Sequence, residues 1–183
     1  MIYVLIPTTP ERSERLKKTL DSIKSSICDQ EIKILTEVSE GEGANKPLKR
    51  LLDKVDGLVF PLGDDNTVEP DTLQLLYDAY IREFPDKDGM TLPAGSDSYL
   101  VHSDIMKKYF HFGYFHLYSD REFYDIMYIK RKTYRVKGAV VNHDHYTKKA
   151  TLDDETYRLS VKHREADREL YEERKAKNFD LDL

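Results

Sequence analysis

Three times in its first half the chain follows a short apolar, β-prone run with a segment whose apolar residues recur at helical spacing. That alternation limits the fold more than any other feature. Ile2 to Ile6 is a continuous apolar run ended by Pro7, and Leu16, Leu20, Ile23 and Ile27 then share one helix face. Glu31 to Thr36 reads as a second strand, and Ala44 to Lys54 as a helix with Pro47 in its first turn. Gly57 to Leu62 is a third strand, and Pro70 opens a helix with Leu73, Leu76, Tyr77, Tyr80, Ile81 and Phe84 on one side. Serial strand–helix units imply an α/β fold, with a doubly wound, mostly parallel sheet flanked by helices. Such sheets bind ligands at the carboxyl ends of their strands, where Pro7-Thr8, Glu37 and Asp64-Asp65 are expected to meet. Thr8 with Glu11 fits a capping box for the first helix.

The second half is less regular. Strands are expected at Met90–Leu92, Ser98–Val101 and Tyr134–Val141, and helices at Ser103–Tyr109 and Asp120–Lys130. Asp153 to Lys177 reads as a long, charged C-terminal helix, much of it solvated. At 183 residues, with no linker or repeat, one domain is expected. Within it, three parts are expected, 1–92, 93–150 and the charged helix 151–183. Thirteen Tyr and seven Phe exclude a disordered chain. The net charge of −5 excludes whole-surface attraction to nucleic acid or anionic membrane. Cys28 is alone, so neither an intramolecular disulfide nor a cysteine metal cluster can form. The first apolar run is too short for a signal peptide or a membrane span, and a cytoplasmic protein is expected.

Four motifs carry chemistry. Asp64 and Asp65 stand side by side at a strand end, in Leu62-Gly63-Asp64-Asp65-Asn66. Adjacent carboxylates repel, and a hard divalent cation is one reason to bring them together; a polar turn is the other. In Asn142-His143-Asp144-His145 the two imidazoles fall on one side of an extended strand, the arrangement of a metal ligand or of an exposed strand end. Asp120 and Glu122, in Ser119-Asp120-Arg121-Glu122, point in different directions from a helix start, so no more than one of them would serve a site, as a general base; simple helix capping is the other reading. Lys130 to Lys149 is a basic stretch suited to a diphosphate or a polyanionic acceptor, or to a solvated face.

In order and spacing, four segments resemble the family-2 glycosyltransferases of the GT-A (Rossmann-like) fold. They are VLIPTTPERSERLKKTLDSI, LGDDNTVEPDTL, GYFHLYSDREFYDIMYIKR and VVNHDHY, and the likeness covers about residues 1 to 146. The resemblance implies an inverting hexosyltransferase that moves a sugar from a nucleotide-diphosphate-sugar, a UDP-sugar first, to an acceptor hydroxyl. It implies a divalent cation, Mn²⁺ or Mg²⁺, on Asp65 with His143 or His145. Asp64 would lie near the ribose or the metal's outer shell, and Pro7, Thr8 and Glu37 would line the nucleoside pocket. Asp120, or Glu122 one position set further on, would be the catalytic base. The chain departs from the family's pattern at Asn66, where a third acid is usual, and at Thr36-Glu37, where an acidic pair is usual. The acceptor would be a glycan, a small molecule or a hydroxymethylated DNA base.

A non-catalytic GT-A-like protein binding a nucleotide or glycan is the reading from another class. A sugar-nucleotide nucleotidyltransferase needs a glycine-rich loop after the first strand, and Pro7-Thr8-Thr9-Pro10 has no glycine.

Overall fold

The computed structural model describes residues 1–143 and 155–181. A six-stranded sheet runs through the centre, in the order β2 (Ile32–Val38), β1 (Ile2–Thr8), β3 (Leu58–Pro61), β6 (Leu100–His102), β5 (Met90–Pro93) and β7 (Thr133–Val136). β1 pairs in parallel with both β2 and β3, and β5 with β7; β6 runs antiparallel to both of its neighbours. The result is a mixed, mostly parallel α/β sheet.

Both faces are covered, as the near-continuous apolar strands require. Ile2, Val4 and Ile6 point to one side, with Phe60 and Leu100, and pack on Ile23 of α1 (Ser13–Lys24) and on Leu73, Leu76 and Tyr80 of α3 (Thr72–Glu83). Leu5 and Val59 point to the other side. There they meet Leu48, Leu51 and Leu52 of α2 (Asn45–Leu52), Met106 of α4 (Ser103–Tyr109), and Phe123 and Met127 of α5 (Ser119–Ile129). A third cluster, Tyr114, Ile126, Tyr171 and Phe179, fastens α6 (Glu155–Ala176) to α5. Among the described residues no helix is long and apolar enough to cross a membrane.

Two sequence expectations are corrected. The capping box does not form: Thr8 gives its hydroxyl to Asp64, and the chain leaves β1 through a 3₁₀ turn, Pro10–Arg12, before α1 begins. Tyr134–Val141 is not one strand. It breaks around Gly138, whose φ is 90°, and the far side becomes β8 (Val141–His143), which pairs antiparallel with β4 (Asn66–Val68) in a separate two-stranded sheet. The break is what carries His143 to the end of β3, opposite Asn66.

The loop after β2 and the turn before α5 interlock at Gly43. Its φ is 80°, and a Cβ there would lie 1.9 Å from the Phe115 carbonyl oxygen. Gly41 has nearly the same φ, 79°, with nothing near its missing Cβ. Gly41→Ala is therefore expected to cost about 1–2 kcal/mol of left-handed backbone strain. Gly43→Ala is expected to cost a further 1–3 kcal/mol, roughly, for the clash. Urea denaturation of the two variants against wild type checks the difference.

Candidate active site

The chain order changes direction between β1 and β3, and the carboxyl ends of those strands open a crevice, as doubly wound sheets do. A cleft of about 1170 Å³ lies there. Its walls come from the loops after β1, β2, β3 and β5, the turn before α5, β8, and the first turns of α6.

One corner is built on Asp64, which is 3% exposed. Arg12 donates to its Oδ1 at 2.6 Å and Thr8 to its Oδ2 at 2.7 Å, while Thr19 of α1 donates to its backbone carbonyl at 3.0 Å. Burial raises the Asp64 pKa by more than Arg12 and Thr8 lower it. The same guanidinium lies 3.8 Å from Asp65. Arg12 thus supplies a reason for the paired carboxylates that is independent of any cation. The 3₁₀ turn is what folds Arg12 back over the end of β3.

Asp65 also faces β8. His143 Nε2 is 3.4 Å from its Oδ1, and Asn66 donates to the same oxygen at 3.2 Å. A carboxylate and an imidazole facing each other in an open cleft fit the mixed oxygen and nitrogen shell of a divalent cation that leaves positions for a ligand's phosphates. His145 lies outside the described residues. The grouping Asp56, His102 and Asp104 also has metal-ligating side chains close together, but it sits at the amino-terminal edge of β3, away from the cleft.

The other wall carries Asp120. Tyr99, itself buried, donates to its Oδ1 at 3.1 Å. Asp120 is exposed to the cleft, on the first turn of α5, with the walls of the cleft crowding it. That crowding raises its pKa to about 6; the Tyr99 hydroxyl opposes the rise, and Asp97 adds to it. A carboxyl with that pKa can take and return a proton near neutrality.

Of the residues singled out in the sequence, Pro7, Thr8, Asp64, Asp65, Asp120 and His143 line this one cleft, and Glu37 and Glu122 do not. Glu37 is opposite Pro7 in the sheet, but its side chain is held by Lys54 and Arg50, which keep its pKa low. Glu122 is 0% exposed and turns inward, where Arg174 of α6 forks onto both its oxygens at 2.9 to 3.0 Å and Tyr114 donates to it. Part of the basic stretch is also spoken for. Lys132 pairs with Asp88, and Arg135 donates to the carbonyls of Pro93 and Ser96. Sequence reasoning missed Arg12, Tyr99 and Asn45. Asn45 donates to the Tyr114 carbonyl at 2.9 Å and accepts from Ser119 at 3.0 Å, tying α2 to the start of α5.

The raised Asp120 pKa has a stability consequence. An ordinary Asp titrates near 3.9, so between about pH 4 and pH 6 the folded chain holds a proton that the unfolded chain has lost. Stability is lost as pH rises through that window. Asp120→Asn is expected to match wild type near pH 4 and to melt at a higher temperature than wild type above pH 6. Thermal melts across that range check it.

No protein-family model and no curated protein sequence matches the chain. Solved structures do. TarS of S. aureus, a GT-A-type glycosyltransferase, aligns over 75% of this chain and 35% of its own at 13% identity, with a TM-score of 0.55. TarS 1–349 in complex with UDP aligns over 74% of this chain and 58% of its own at 14% identity, TM-score 0.56. The complex of the same fragment with UDP-GlcNAc aligns over 87% and 64% at 13% identity, TM-score 0.56. The chain thus spans less than two thirds of the length of these neighbours. At that level of identity the likeness is one of fold, and the fold is GT-A-like.

Proposed function

We propose that the chain is a metal-dependent, inverting glycosyltransferase that uses a nucleotide-diphosphate-sugar. One observation carries the reading: Asp64-Asp65 and the Asp120 carboxyl face one cleft at the switch point of the sheet. The UDP and UDP-GlcNAc complexes of the structural neighbours make a uridine nucleotide-sugar the first donor class to test.

In this reading Pro7, Thr8 and the loop from Ser39 to Asn45 receive the nucleoside, and Arg12 and Asp64 fix the corner beside the diphosphate. Asp65 and His143 are the residues to hold a divalent cation, Mn²⁺ or Mg²⁺. When bound, the cation supplies positive charge opposite the leaving diphosphate. Asp120 takes the proton from the acceptor hydroxyl as its oxygen bonds to the anomeric carbon. The bond from that carbon to the diphosphate oxygen breaks in the same displacement, which inverts the configuration. Tyr99 holds the Asp120 carboxylate in place for the transfer. Glu122, saturated by Arg174 and Tyr114, is the weaker choice for the base.

Asp120→Asn is expected to bind nucleotide as wild type does and to lose transfer by about 10²–10⁴-fold, the usual worth of a general base. Asp65→Ala is expected to lose metal-dependent nucleotide binding. Because Asp120 must be ionised to accept a proton, the rate is expected to fall as pH drops below about 6. Steady-state kinetics over pH, with calorimetry on both variants, check all three. Unchanged turnover in Asp120→Asn overturns its role, and unchanged metal and nucleotide affinity in Asp65→Ala overturns the metal assignment.

A further inference from the structure

Asp167 stands in the middle of α6 and is 4% exposed, yet its carboxylate does no work within its own helix. One oxygen accepts the Phe115 amide at 2.8 Å, and the other accepts the amides of His116 at 3.0 Å and Leu117 at 2.8 Å. Three successive N–H groups converge on one anion where the backbone curls into a concave nest. The curl ends at Tyr118, a residue with a Cβ held at φ 67°. Such a conformation persists where the surroundings impose it. α5 begins at the next residue, and Asp120 is its second. From the opposite side Asn45 grips Tyr114 and Ser119. The turn is thus clamped between α2 and α6.

The polar ties of α6 to α5 include Arg174 to Glu122 and Tyr171 to Asp125. Both fasten the body of α5 rather than the 115–117 turn. α6 also meets the turn through its rings, His163 stacking on Phe115 at 3.9 Å and Tyr171 on Tyr118 at 5.2 Å; what the Asp167 clasp adds is a partner for three successive backbone amides of the turn.

We infer that Asp167 is a positioning residue for sugar transfer: by gathering the amides of Phe115, His116 and Leu117 it fixes the turn from which α5 presents Asp120 to the cleft. The inference rests on the reading of Asp120 as the base. A carboxylate suits the task because it accepts only, and has lone pairs for three donors. Asparagine at this position keeps the shape but turns an NH₂ group toward amide donors. Displacing a reacting group by about 1 Å costs about a hundredfold in rate.

The test compares wild type, Asp167→Asn, Tyr171→Phe and Asp120→Asn. UDP-GlcNAc, UDP-glucose and GDP-mannose serve as probe donors and UDP and GDP as probe nucleotides. Asp167→Asn is expected to lower kcat by at least about tenfold while donor KM and nucleotide affinity stay within about threefold. Tyr171→Phe removes a hydrogen bond from the same helix and is expected to keep kcat. Should Asp167→Asn not fold, Asp167→Ser, which keeps one acceptor oxygen, is read in the same way. A kcat in the Asp167 variant within about twofold of wild type, or an equal loss in Tyr171→Phe, overturns the inference. If Asp120→Asn turns over normally, or wild type turns over no donor, the reading of the base falls and the inference with it. If Asp120→Asn is inactive and Asp167→Asn is not, the inference alone falls.

Discussion

A carboxylate taken almost wholly out of water organises one end of this molecule. Asp64 is tolerable there because Arg12, Thr8 and Thr19 satisfy it from the turn after β1, the end of β1 and α1. Removing one partner of such a buried pair leaves an uncompensated charge, at a cost of about 3–5 kcal/mol. The pair therefore joins four pieces of chain at the point where the sheet order reverses. It also explains the local geometry. Thr8 cannot cap α1 while it serves Asp64, and Arg12 reaches Asp64 because a 3₁₀ turn precedes the helix.

The cleft that results has two unlike sides. On one, Asp65 stands between Arg12 and His143, with β4 and β8 paired to hold the histidine there. On the other, Asp120 stands on the first turn of α5, steadied by Tyr99 from the β5–β6 loop. Neither side is assembled by one stretch of sequence. The second depends on α6, two of whose charged residues are turned inward: Asp167 on the turn before α5, Arg174 on Glu122. Buried charges of this sort contribute little net stability but fix which groups meet.

What the sequence made legible follows from the range of each signal. β1, α1, β2, α2, β3 and α3 could be read because apolar periodicity is local; the strands, α2 and α3 moved by a residue or two only, while α1 starts at Ser13 after the 3₁₀ turn and ends at Lys24, which leaves Ile27 off its face and exposed. Asp64, Asp65, Asp120 and His143 could be read because strand ends and helix starts are recognisable places. Arg12, Asn45 and Asp167 could not, since their partners lie 52, 69 and about 50 residues away. The same holds for α6, where a run of charges reads as a solvated face whether or not some are turned inward. Glu122 and Asp120 are two positions apart on one helix, so one was bound to face the core; which one depended on Arg174. Tyr134–Val141 read as one strand although Gly138 is a local sign of a bend; that two sheets share the segment depends on the distant partner β4.

The claim on which everything functional rests is that the Asp64-Asp65 corner receives a nucleoside diphosphate. Calorimetric titration with UDP, GDP, ADP, TDP and CDP, each with Mn²⁺ and again with EDTA, tests it most directly. The account predicts that one nucleoside diphosphate binds and that EDTA weakens it. Binding of none of them, with metal present, would contradict it.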